Sequence, residues 1–141
     1  MDPLNVDNLL KALDNEEHTN LINTSFQQIA KDKNDILQNL HLQKDKLKDF
    51  HKKLRHYRYI DELNDLKYGQ YIRWINLNNE SLKLTSGGIF LDLKLLNNGT
   101  HVVCKNNMNK VFQIKFDECI FFQKISNQEE IILKVLNYVN K

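Results

Sequence analysis

Between Ile22 and Tyr57 apolar residues return every seven positions, and from Tyr71 onward they return every two. A seven-residue return keeps one stripe of a helix turned toward a partner, whereas a two-residue return matches the pleat of a strand. The change of period predicts an α+β chain in two parts. Residues 1–67 form a helical arm, a short helix followed by a long heptad helix. Residues 68–141 form a small β module closed by a C-terminal helix.

In the arm, Asp7 to Leu13 read as a short helix with Asp7 as its N-cap, and the long helix starts near Thr19 or Asn20. One heptad position holds Ile22, Ile29, Ile36, Gln43, Phe50 and Tyr57; the other holds Phe26, Lys33, Leu40, Leu47 and Leu54. No Gly or Pro interrupts residues 19–67. A rod of this kind, about 55 Å long at about 1.5 Å per residue, cannot bury its own stripe. It is therefore expected to pair with a second copy or a partner protein through Ile22, Phe26, Ile29, Ile36, Leu40, Leu47, Phe50 and Leu54. Lys33 and Gln43 would weaken that seam and fix its register. Residues Tyr59 to Leu66 read as a last helical turn or a short separate helix.

The β module is punctuated by turn residues. Tyr71 to Leu77 is a strand, Leu82-Lys83-Leu84 a short one, and Ser86-Gly87-Gly88 a tight bend. Ile89 to Leu96 follows, with Ile89, Leu91, Leu93 and Leu95 on one face. Asn97-Asn98-Gly99 signals a hairpin, with Asn-Gly suited to a type I′ turn. Thr100 to Lys105, Lys110 to Phe116 and Ile120 to Ile125 complete a meander, interrupted by a brief turn at Asp117-Glu118-Cys119. Ser126 and Glu129 spell a capping box for a final helix striped by Ile132, Val135, Leu136 and Val139. Short strands in a meander predict a small antiparallel barrel. The single-turn break before the last strand resembles the layout of SH3-like and Sm-like β-barrels.

Chemistry is sparse. No nucleophile elbow, phosphate loop or dinucleotide fingerprint occurs, so no catalytic residue is assigned and the chain is expected not to be an enzyme. His101, Cys104 and Cys119 lack zinc-motif spacing, and His101 and Cys104 would point to opposite faces of one strand; neither a metal nor a cofactor is expected. The basic stretch 44–58 suggests a phosphate-binding strip through Lys44, Lys48, Lys52, Lys53, Arg55 and Arg58, with Arg73 from the β module. Tyr71, Trp74, Phe90 and Lys94 are further candidates for a single-strand surface, although Trp74 also suits a core. The same lysines suit the solvated face of a helix, which is the reading favoured for them over phosphate binding.

No apolar run approaches the roughly 20 residues of a membrane span. The segment MDPLNVDNLLKALDNEEH lacks the basic and apolar regions of a signal peptide, so the chain is expected to stay intracellular, with reduced thiols. Nineteen Asn, and 17 Lys against three Arg, fit A/T-rich coding. The segments YGQYIRWINL, LTSGG and FDECIFFQKIS, spread over residues 57–136, resemble short proteins of large AT-rich DNA viruses that infect protists. That resemblance implies a viral source, in the host cytoplasm, a virion or a replication compartment, and carries no functional residue with it. The expected function is a non-enzymatic, oligomeric assembly or adaptor protein using the coiled coil and the barrel for protein contacts. The alternative is a nucleic-acid-binding protein using the basic segment and the barrel surface.

Overall fold

A computed structural model describes residues 25–139. The expected helix at Asp7–Leu13 and the heptad residue Ile22 lie outside them. The described residues fall into two compact units: 25–47 with 125–139, and Lys48–Lys124.

Among the described residues the expected continuous rod is not present. Helix α1 (Phe26–Gln38) is capped by Ser25, whose Oγ accepts a hydrogen bond from the Gln28 amide at 3.0 Å. It ends at Asn39, and the chain turns at His41, whose φ is 53°. Asn and His tolerate this left-handed conformation better than most residues, so a break needs neither Gly nor Pro. Helix α1 buries Ile29, Lys33 and Leu37, with Leu37 at 0% exposure, while the heptad residue Leu40 sits in the turn, half-buried. The three buried positions are spaced four apart, so Leu37 rather than the heptad residue Ile36 is the one fully covered.

Helix α2 (Lys44–Lys53) stops before Tyr57, which opens a strand. Strand β1 (Tyr57–Ile60) replaces the helical continuation expected there, and only Leu63–Asp65 makes a helical turn, of the 3-10 type. Tyr-Arg-Tyr-Ile has the aromatic and β-branched content that suits a pleated surface. It pairs antiparallel with β6 (Cys119–Lys124), which puts these residues in the sheet rather than in an arm.

The other strands are β2 (Tyr71–Asn76), β3 (Gly88–Leu96), β4 (Gly99–Lys105) and β5 (Val111–Lys115). All six form one antiparallel sheet in the order β1-β6-β2-β3-β4-β5, with a 3-10 turn at Phe116–Glu118 leading into β6. The sheet is not closed into a barrel: β1 and β5 are its two edges. It is nevertheless strongly curled. Strands β2 and β5 are three steps apart, about 14 Å in a flat sheet, yet the rings of Trp74 and Phe112 lie 6.4 Å apart. The concave side holds one core of Ile60, Leu66, Ile72, Trp74, Phe90, Val102, Cys104 and Phe121. Phe116 stacks on Phe121 at 5.4 Å, extending it.

Three features of the β module differ from expectation. A β-bulge between Phe90 and Asp92 flips the phase of β3. Phe90 faces the core before it and Leu93 after it, so the expected Ile89-Leu91-Leu93-Leu95 face does not exist. The β3–β4 hairpin forms, but its left-handed residue is Gly99 at φ 126°, not Asn97 or Asn98, so the turn is not type I′. Leu82–Leu84 contributes a single bridge, Leu84 to Ile75, instead of a strand.

Helix α3 (Asn127–Val139) starts as its sequence dictates. The Ser126 amide donates to Glu129 Oε1 and the Glu129 amide donates to Ser126 Oγ, both at 3.1 Å. Ile131, Ile132 and Leu133 are buried, and Leu136 packs on Ile132.

Candidate interaction surface

Alternation along the strands sorts the sheet's charges. The residues whose partners line the core, Arg58 among them, point to the concave side. Tyr57, Tyr59, Tyr71, Arg73, Lys94, His101, Lys105, Lys115 and Lys124 point to the other. On this outer face of the strands, Arg73, Lys94, Lys105, Lys115 and Lys124 face a single carboxylate, Asp92. The acids of this unit sit mostly in turns, at Asp61, Glu62, Asp65, Glu80, Asp117 and Glu118.

Register brings these cations together. Lys94 lies opposite His101, and His101 opposite Lys115, a basic row across three strands. Cross-strand neighbours of this kind have Cβ atoms about 5 Å apart. His101 Nε2 meets Asn98 Oδ1 at 3.0 Å, while its Nδ1 is buried without a hydrogen-bond partner. In a second row Ile89 lies opposite both Tyr71 and Lys105, and Lys105 opposite Val111.

Edge strand β5 completes the surface. The Asn106 amide donates to the Lys110 carbonyl at 3.0 Å, which fixes the alternation of the ladder. Phe112 and Ile114 therefore turn their backbone groups toward β4, and Val111, Gln113 and Lys115 turn theirs outward, where no described strand pairs with them. Side chains alternate in step. Phe112 and Ile114 reach the core, only half-buried, while Val111 is 60% exposed. Lys110 lies over the Phe112 ring, with Nζ 5.2 Å from its centroid.

The residues singled out from sequence are dispersed. Phe50 and Leu54 are buried, 4% and 0% exposed. Ile29 is buried, and Phe26, Ile36, Leu40 and Leu47 are half-buried. Lys44, Lys48, Lys52, Lys53 and Arg55 are exposed, with Lys53 paired to Asp49 at 2.9 Å. Arg58 is buried and its guanidinium donates to the Asp65 carbonyl at 3.4 Å. Arg73 is held by its Nε donating to the Thr85 carbonyl at 2.8 Å. Trp74 and Phe90 belong to the core and present no face for base stacking.

Burial pushes the thiols of Cys104 and Cys119 up to about 11, with Glu118 adding to the shift at Cys119. Thiolates, the reactive form, are thus scarce at neutral pH. The two cysteines sit on β4 and β6, which are not neighbours. Among the described residues no three His, Cys, Asp or Glu side chains gather as metal ligands, and no helix is long and apolar enough to cross a membrane. Lys94, Lys105 and Lys115 lie on three different strands, so only the register of the ladder, and no spacing along the chain, places them on one face. No known protein family, curated protein or solved structure matches this chain.

Proposed function

We propose that this chain is a non-enzymatic adaptor that makes protein–protein contacts through its sheet rather than through a coiled coil. The supporting observation is the open edge of β5, whose outward backbone groups at Val111, Gln113 and Lys115 have no strand beside them among the described residues. An unpaired edge is a ready template for another chain. Amide hydrogen exchange on the isolated protein tests this. The Phe112 and Ile114 amides should exchange at least about a hundredfold more slowly than those of Val111, Gln113 and Lys115. Equal protection of both sets removes the reading. Light scattering separates self-assembly from contact with a different partner. A mass above the 16.8 kDa monomer that falls back in an Ile36→Asp, Leu40→Asp double variant assigns association to the helical residues. A monomer mass for both proteins leaves a heterologous partner. A viral source, which the sequence resemblance implies, fits an adaptor acting inside an infected cell or a virion.

A second reading, nucleic-acid binding, is favoured by the charge segregation of the outer face and by the exposed Lys44, Lys48, Lys52, Lys53 and Arg55. Engaging about five phosphates would give a slope of about −4.5 in log affinity against log salt on duplex DNA. Absence of binding at about 50 mM salt eliminates it.

A further inference from the structure

We infer that β5 accepts an acidic extended segment of a partner protein as a seventh strand, with carboxylates and apolar side chains alternating along that segment. The inference rests on the adaptor reading and names the chemistry of its partner.

Three observations converge on this edge. The backbone groups of Val111, Gln113 and Lys115 point outward. Phe112 and Ile114 are only half-buried, so the core is incompletely covered where the sheet stops. A strand added here would place its inward side chains beside those two, and apolar residues suit that position. Its outward side chains would lie beside Val111, Gln113 and Lys115, in line with the Lys94–His101–Lys115 row. Carboxylates suit that position, because no carboxylate of β5 itself meets the row.

A second copy of β5 fits poorly. Antiparallel pairing centred on Gln113 would set Lys115 opposite Val111 of the other copy and bring both sets of lysines to one face, where the strands of each copy hold a single carboxylate, Asp92. Lysines on an edge strand oppose self-pairing for this reason.

The test uses the full chain and a synthetic peptide alternating Glu and Val over about seven residues, with binding followed by fluorescence anisotropy. A Lys–Val peptide of the same length is the control. The Glu–Val peptide should bind at least about tenfold more tightly than the control. Gln113→Pro removes one outward donor and leaves the β4 pairing, so it should weaken Glu–Val binding about tenfold while circular dichroism shows an intact sheet. If that variant fails to fold, Lys115→Glu serves instead, and should shift the preference toward the Lys–Val peptide. Equal binding of the two peptides, or binding untouched by both substitutions, overturns the proposal. Competition by single-stranded DNA that persists in Gln113→Pro also overturns it, in favour of a polyanion held by the lysines of the outer face. Lack of peptide binding while the Val111, Gln113 and Lys115 amides exchange freely defeats the acidic strand alone. Protection of those amides in the isolated chain defeats the adaptor reading with it.

Discussion

Gly87 has a φ of 87°, and a Cβ there would collide with the Ile72 carbonyl and approach the Arg73 side chain to 2.9 Å. Gly69 has a similar φ of 81°, but open space around it. The pair separates backbone strain from steric exclusion. Gly69→Ala carries only the left-handed penalty, about 1 kcal/mol. Gly87→Ala adds a clash with main chain that cannot yield, and should cost about 2–4 kcal/mol in urea unfolding. Similar losses for the two variants would show that the bend relaxes. Local chemistry of this kind is where sequence speaks most reliably. Ser126 and Glu129 form their reciprocal bonds because both partners lie within one turn and need nothing else. Arg58 shows the opposite case: as part of a basic run it reads as surface, yet pairing of β1 with β6 carries it to the concave side.

Among the elements, β6 is the pivot of the sheet. It is flanked by β1 and β2, and Ile120, Phe121, Phe122 and Gln123 are all buried, so it is covered on both faces. Gln123 is the polar exception, at 0% exposure. Its Oε1 accepts from the Lys67 amide at 2.7 Å and its Nε2 donates to the Asp65 carbonyl at 3.2 Å, tying the loop after the first 3-10 turn to the sheet. Gln123→Leu keeps the volume, orphans the Lys67 amide and leaves the Asp65 carbonyl to the longer Arg58 bond. The expected loss is about 2–3 kcal/mol, with faster exchange of the Lys67 amide. An unchanged exchange rate would mean that another acceptor replaces the side chain. The helical arm fails at this scale. Its seven-residue pattern is real, but a pattern does not say whether one helix or two consecutive ones will use it. The Asn39–His41 turn and the strand propensity of Tyr57 to Ile60 settle that against the rod.

For the whole molecule, buried titratable groups set the response to alkali. Cys104 and Cys119 keep their protons up to about 11 when folded, while unfolded thiols lose them near about 8.5. Between those values the native state binds more protons than the unfolded one. Stability is therefore full below the lower pKa and declines as pH rises toward the upper. Burial also raises the phenols of Tyr57 and Tyr59, which act in the same direction at higher pH, whereas burial of Lys33 lowers its ammonium and acts against them. Urea midpoints should fall steadily from about pH 8.5 to about pH 10.5, and a thiol reagent at pH 8 should label the folded protein far more slowly than the unfolded one. Flat midpoints together with rapid labelling would show that the thiols are accessible. What the amino-acid order determined alone is what acts over a few residues: the α+β class, the strand punctuation, the hairpin at Asn97–Gly99 and the cap of α3. Tertiary structure decided what depends on distant partners: the pairing of β1 with β6, the phase flip at the β3 bulge, the curl that joins Trp74 to Phe112, and the open edge at β5. Sequence spacing sets which side chains share a face, but only the ladder sets which face looks inward and which strand is left without a neighbour.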